Sequence, residues 1–119
     1  MTAIDLTPAH RAIVEGILRQ HVPGCGVRIF GSRAMGRARP LSDLDLVIMT
    51  ERPIDVRAWT ELRDAFSESD LPFVVDVLDW SGLSEAFRLR VGETAVTLIA
   101  PVSALSDQRA EPDDGRQER

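Results

Sequence analysis

Lysine and tyrosine are both missing from this 119-residue chain. Without lysine there is no Walker-type P-loop, no Schiff base and no lysyl-adenylate ligase chemistry, and all 14 basic side chains are arginine. Positive charge is scarce as well: 19 acids leave a formal net charge of −5, which argues against a free-standing nucleic-acid binder. The single cysteine, Cys25, excludes an internal disulfide and makes a cytoplasmic location the default expectation. No apolar run approaches the roughly 20 residues that span a bilayer, and Met1 to Thr7 carries no signal-peptide pattern, so no membrane association is expected. With 44% hydrophobic and 28% charged residues the composition is that of a soluble globular domain. The length suits one domain over residues 1–101, large enough for a core but too small for a catalytic head plus a nucleic-acid-binding body. Residues 102–119 are rich in Ser, Asp, Glu, Gln and Arg and read as a disordered polar tail.

What is present centres on Val27 to Val47. An apolar strand (Val27, Ile29, Phe30) runs into Gly31-Ser32, a basic loop follows, and Ser42-Asp43-Leu44-Asp45-Leu46-Val47 begins a second strand. Strand alternation puts Asp43 and Asp45 on one side of the sheet and Leu44 and Leu46 on the other. Two parallel carboxylates repel and need a cation between them; hard oxygen ligands select Mg²⁺ or Mn²⁺ over a soft metal. Gly31 lets backbone amides approach an anion and the Ser32 hydroxyl adds a hydrogen bond. A short helix opened by Ser32 would add favourable electrostatics for phosphate. Phe73-Val74-Val75-Asp76-Val77-Leu78 is a further apolar strand with one interior charge. Burying an unpaired carboxylate is costly, so Asp76 is expected beside the other two acids, completing a cage. The plainer alternative has Asp43 capping a turn and Asp45 pairing with an arginine. Three acids on two apolar strands beside one Gly-Ser turn weigh against it.

Gly31-Ser32-Arg33-Ala34-Met35-Gly36, followed by Ser42-Asp43-Leu44-Asp45-Leu46, resembles the signature of the nucleotidyltransferases of the DNA polymerase β superfamily, over roughly Val27 to Gly92. The short length and the wording of the motif resemble its minimal nucleotidyltransferase branch, whose members are often encoded beside a HEPN-family protein. The resemblance implies an α/β fold, a small mixed sheet flanked by helices, and two-metal nucleotidyl transfer. In that scheme Asp43, Asp45 and Asp76 hold two Mg²⁺ ions (or Mn²⁺) and are the catalytic residues, with Asp76 also placed to help deprotonate the acceptor. Gly31 and Ser32 hold the departing phosphates of a nucleoside triphosphate. Arg33 is the nearest basic candidate for a phosphate contact, with a solvated basic loop as the equal alternative; for Arg37 and Arg39 the solvated reading is favoured. Some family members carry arginine where Met35 stands, which leaves the turn and the acids untouched. The implied reaction moves AMP from ATP onto a protein hydroxyl, with a HEPN-type toxin as acceptor and this chain as its antitoxin. A tyrosine acceptor would have to lie on the partner.

Two other functions fit the same chain. The fold could mask a partner stoichiometrically without catalysis, or it could act on a small molecule as aminoglycoside nucleotidyltransferases do. The latter generally carry an additional helical domain, for which only Gly82 to Pro101 is available here. A CCA-adding or poly(A) polymerase role fails on the same ground and on charge.

The rest of the chain reads as scaffold. Thr7-Pro8 predicts a capped helix start, with Ile13, Val14, Ile17 and Leu18 as its apolar stripe and an end near Val22-Pro23-Gly24. His10 and His21, in this helix, are poorly spaced as joint metal ligands, and Cys25 lacks any feature that would depress its pKa. Asp55 predicts a helix cap ahead of Val56, Trp59, Leu62 and Phe66, a stripe expected to pack on the sheet rather than stack on bases. Asp79 is expected to point away from Asp76, as a turn or cap residue. A helix over Leu83 to Val91 and a short strand within Glu93 to Ala100 complete the expectations.

Overall fold

The computed structural model describes residues 4–102. Except for Val102, the stretch expected as a polar tail lies outside the described residues. Among the described residues the elements follow one another as α1 (Pro8–His21), β1 (Gly26–Phe30), β2 (Leu44–Met49), α2 (Val56–Ser67), β3 (Val75–Asp79), a 3₁₀ turn (Trp80–Gly82), α3 (Glu85–Thr94) and β4 (Val96–Ile99). The sheet order is β3-β2-β1-β4. β1 runs antiparallel to both of its neighbours, whereas β2 and β3 are parallel, joined through α2 as a parallel pair requires. The architecture is the α/β mixed sheet flanked by helices that the family resemblance implied.

Local chemistry places the elements. Thr7 caps α1, its hydroxyl accepting from the His10 amide at 3.1 Å, and Pro8 opens the helix where its missing N–H costs nothing. The Asp55 carboxylate accepts from the amides of Arg57 and Ala58 at the start of α2. Alternate residues of the two central strands (Val27 and Ile29; Leu44, Leu46 and Ile48) then bury against Val14 and Leu18 of α1 and Leu62 and Phe66 of α2. That layer is the core. Val47 and Val91 are also buried but lie outside this cluster, Val47 pointing to the opposite face by strand alternation. Phe30 shares that opposite face and meets Phe87 edge-on with ring centroids 6.3 Å apart, so α3 covers part of it.

Three expectations shift. The last helix begins at Glu85, not Leu83, because Ser84 caps it and Leu83 is extended. Val56 lies outside the α2 stripe: as the first residue after the cap it is 79% exposed. The segment after Gly31 is a single helical turn. Met35 N–H bonds to the Gly31 carbonyl at 3.2 Å, Arg37 N–H to the Ser32 carbonyl at 3.0 Å, and Gly36 at φ +70° closes it in the left-handed region that stops a helix.

Candidate active site

β1 ends at Phe30 and the chain must leave the sheet at once, which Gly31 permits by adopting φ +78°. Phe30 is the register partner of Asp45 on β2, and Asp45 in turn stands opposite Asp76 on β3. Register partners share a sheet face, so Phe30, Asp45 and Asp76 form a row across three strands on the face away from the α1–α2 core. The Gly31 backbone sits at the end of that row: a Cβ added there would lie 2.6 Å from Asp45 Oδ2. Asp43 precedes β2 by one residue and is exposed, two positions from Asp45 along an extended chain.

The electrostatics agree with this convergence. Burial pushes the Asp45 carboxyl up from its ordinary value, and the charges of Asp76 and then Asp43 push it further the same way. Asp45 and Asp76 stand opposite each other across two strands, with Asp43 two residues before Asp45 along the extended chain. Among the described residues no group of three acids, imidazoles or thiols is tight enough to hold a metal ion unaided. The donor set is all carboxylate oxygen, and an Asp45 disfavoured as an anion by two like charges is what a hard divalent cation relieves, so the residues fit such an ion. Asp76 is not the buried unpaired charge that the apolar pattern suggested. β3 is an edge strand, and Asp76 faces solvent from it.

Arg33 occupies neither of the positions considered for it. Only 5% exposed, it is turned inward. Nε donates to the Ser42 carbonyl at 3.1 Å, Nη1 to the Asp5 carbonyl at 2.7 Å, and Nη2 to the carbonyls of Arg39, Pro40 and Ser42 at 2.9–3.3 Å. The guanidinium also lies over the Phe73 ring, 4.1 Å from its centroid. Its charge therefore clamps the loop between the Gly-Ser turn and β2 to the N-terminal lead-in. Arg37 and Arg39 are exposed. Ser42, unremarked in the motif, shares the work: its hydroxyl accepts from the Arg39 amide at 2.8 Å.

Asp79 behaves as expected of a cap. It accepts from the Thr50 hydroxyl, from the Ile54 amide at 2.9 Å, and from the Ser81 amide and hydroxyl at 3.0 and 2.8 Å. Burial raises its pKa, but these donors together outweigh burial and hold the carboxyl below its ordinary value. This latch ties the end of β3 to the lead-in of α2. Sequence reasoning missed the roles of Thr50 and Ser42 because a hydroxyl carries no signal until its partner's position is known. The Cys25 thiol is pushed up, first by burial and then by Asp79, so it is not an activated nucleophile.

The glycine-serine turn thus stands against the Asp45 and Asp76 pair on the partly uncovered face of a small mixed sheet. Residues 14–100 match the family model described as polymerase beta, nucleotidyltransferase, and this chain belongs to that family. It is 52% identical over 85 residues to the Haemophilus influenzae protein named "Probable protein adenylyltransferase MntA", covering 71% of this chain and 75% of that protein. Among solved structures, a toxin–antitoxin with AMP-PNP superposes with a TM-score of 0.65 at 22% identity, covering 83% of this chain and 86% of that one. The tri-AMPylated HEPN toxin of Shewanella oneidensis in complex with its MNT antitoxin gives a TM-score of 0.58 at 19% identity, covering 81% and 74%. At those identities the two structures attest the polymerase-beta-like fold.

Proposed function

We propose that this chain moves AMP from ATP onto a hydroxyl of a HEPN-type toxin and thereby silences it, acting as an antitoxin in the cytoplasm. The observation that carries the proposal is the row itself: Asp45 opposite Asp76, with the Gly31 backbone against the Asp45 carboxylate. The relative named as a protein adenylyltransferase supports AMP as the transferred group and protein as the acceptor. The solved complexes, one with an ATP analogue and one with a tri-AMPylated HEPN toxin, support ATP as donor and the toxin as partner. No helix among the described residues is long and apolar enough to cross a membrane.

In this reading Asp43, Asp45 and Asp76 would hold Mg²⁺, two ions or Mn²⁺ in their place, which supplies charge neutralisation of the triphosphate. Gly31, having no Cβ, lets the backbone of the turn come up to the β- and γ-phosphates, and the Ser32 hydroxyl adds a donor. Asp76, at the solvent-facing end of the row, takes the proton of the incoming hydroxyl. The hydroxyl oxygen bonds to the α-phosphorus as the bond to the β-phosphate oxygen breaks, and pyrophosphate leaves. Arg33 serves by holding the loop that joins Gly31-Ser32 to the acids.

The test is an intact-mass spectrum of the co-expressed partner after incubation with Mg²⁺ and each ribonucleoside triphosphate in turn. An AMP adduct that disappears with Asp45→Asn is expected. A tight complex whose partner stays unmodified under every nucleotide would replace the enzyme with a masking module.

A further inference from the structure

Strand register fixes two of the three acids and leaves the third to other contacts. Asp45 and Asp76 are paired across β2 and β3, so the sheet itself determines where each stands. Asp43 lies one residue before β2, outside that pairing, and is exposed. Its place depends on what holds the main chain on either side of it. After it, the Leu44 amide donates to the Val74 carbonyl at 2.9 Å. Before it, the Ser42 carbonyl, in the same peptide group as the Asp43 nitrogen, accepts from Nε and Nη2 of Arg33 at 3.1 and 2.9 Å.

Arg33 anchors that peptide only while its own position is set, and the residue that sets it comes from the lead-in to α1. Asp5 meets the loop three times. Its amide donates to the Arg33 carbonyl at 2.9 Å, its carbonyl accepts from Arg33 Nη1 at 2.7 Å, and its carboxylate Oδ2 accepts from the Ala38 amide at 3.1 Å. The first two use only the main chain of residue 5. The third needs a short acceptor side chain, and no ion pair among the described residues engages that carboxylate. Ala38 is half-buried in a stretch otherwise exposed from Met35 to Leu41, so the Asp5 carboxylate holds the middle of the loop inward. The next residue passes the restraint on: the Arg39 amide donates to Ser42 Oγ at 2.8 Å, and the Arg39 carbonyl accepts from the Ser42 amide at 3.0 Å.

Asp5 stands ahead of α1 and outside the residues 14–100 that match the family. We propose that Asp5 is a positioning residue for the metal site. Its carboxylate, through the Ala38 amide, and its main chain, through Arg33, fix the Ser42–Asp43 peptide and so keep the Asp43 carboxylate within reach of a divalent cation held with Asp45 and Asp76. Asp5 itself touches neither metal nor nucleotide. The proposal rests on the reading of the three acids as cation ligands and adds to it the residue, far from the motif in sequence, that keeps one of them in place.

Manganese binding tests this without turnover. The Kd of Mn²⁺ for the whole chain, followed by loss of the free-ion electron paramagnetic resonance signal, is compared among the wild type, Asp5→Ala, Asp5→Asn and Thr7→Ala. Thr7→Ala is the matched control: it removes an acceptor 3.1 Å from a backbone amide in the same lead-in, that of His10, without touching the loop. Asp5→Ala is expected to weaken Mn²⁺ about tenfold, the lower end of what loss of a partner behind a metal ligand costs. Asp5→Asn keeps an acceptor oxygen and should restore most of the affinity, and Thr7→Ala should leave it unmoved. AMP transfer by Asp5→Ala should correspondingly need about tenfold more Mg²⁺ to reach half its maximal rate. Should Asp5→Ala fail to fold, Asp5→Glu keeps the charge while moving the acceptor by one methylene, and the same loss is read from it. A wild-type chain that holds no Mn²⁺, an Asp5→Ala chain that holds it as tightly as the wild type, or equal weakening in Asp5→Ala and Thr7→Ala overturns the proposal. The expected gap in Mn²⁺ affinity, in a chain that never modifies its partner, would sink the AMP-transfer reaction and leave the positioning role standing.

Discussion

Replacing Gly31 by alanine separates what the backbone needs from what the site needs, because Gly36 offers a matched control. Both glycines have positive φ, +78° and +70°, so an alanine at either position loses roughly 1–2 kcal/mol to the left-handed conformation. Their surroundings differ. A Cβ at Gly36 meets nothing within 4 Å, whereas one at Gly31 falls 2.6 Å from Asp45 Oδ2, inside the closest approach carbon and oxygen tolerate. The obstructing atom is the end of a short side chain, so the fold can yield by rotating the Asp45 carboxylate at little further cost. The site cannot, since a displacement of about 1 Å in a catalytic group can cost about a hundredfold in rate. Chemical denaturation should therefore show similar losses for Gly31→Ala and Gly36→Ala, while AMP incorporation into the partner, followed by intact mass, falls about a hundredfold for Gly31→Ala alone. Equal transfer rates in the two variants would refute the claim that the Gly31 backbone and the Asp45 carboxylate work as one unit.

Two further perturbations test the scaffold. Arg33→Ala should destabilise the chain by roughly 3 kcal/mol or more, because the carbonyls of Asp5, Arg39, Pro40 and Ser42 lose a charged donor together, and Arg33→Lys should recover only part of it; a loss of nucleotide binding with unchanged denaturation midpoint would return Arg33 to the phosphates. Asp79→Asn should cost about 2 kcal/mol at neutral pH, since the charged acceptor of the Thr50, Ile54 and Ser81 donors is gone. The folded-state pKa of Asp79 lies below its unfolded value, so the carboxylate's contribution is complete above the unfolded value and fades as pH falls through the folded one. Urea denaturation across that acidic window should show the wild-type advantage shrinking, and a gap that widens on acidification would contradict the latch.

Much of this molecule is written in local pattern. The caps at Thr7 and Asp55, the period-two alternation around Leu44 and Leu46, and the Gly31-Ser32 to Asp43-Leu44-Asp45 spacing all act over a few residues, and short-range geometry is what a linear chain displays directly. The family resemblance followed from the same spacing, because the Gly-Ser turn and the acids lie at the ends of consecutive strands, and residues 14–100 match that family. Arg33 was legible only as a charge near the motif. Its inward turn depends on carbonyls from Asp5 and Ser42, 28 and 9 positions away, and on the Phe73 ring, partners that folding alone assembles. Asp76 was singled out from the apolar strand around it, but strand hydrophobicity says nothing about whether a face is covered, and β3 proved to be an edge. Residue types and their spacing thus determined the chemistry this chain can attempt, as charge, hydroxyl and missing Cβ are properties of single residues. Which carboxylate stands opposite which, which arginine is spent on the scaffold, and the meeting of Phe30 with Phe87 were decided by register and packing, long-range relations that exist only once the sheet has formed.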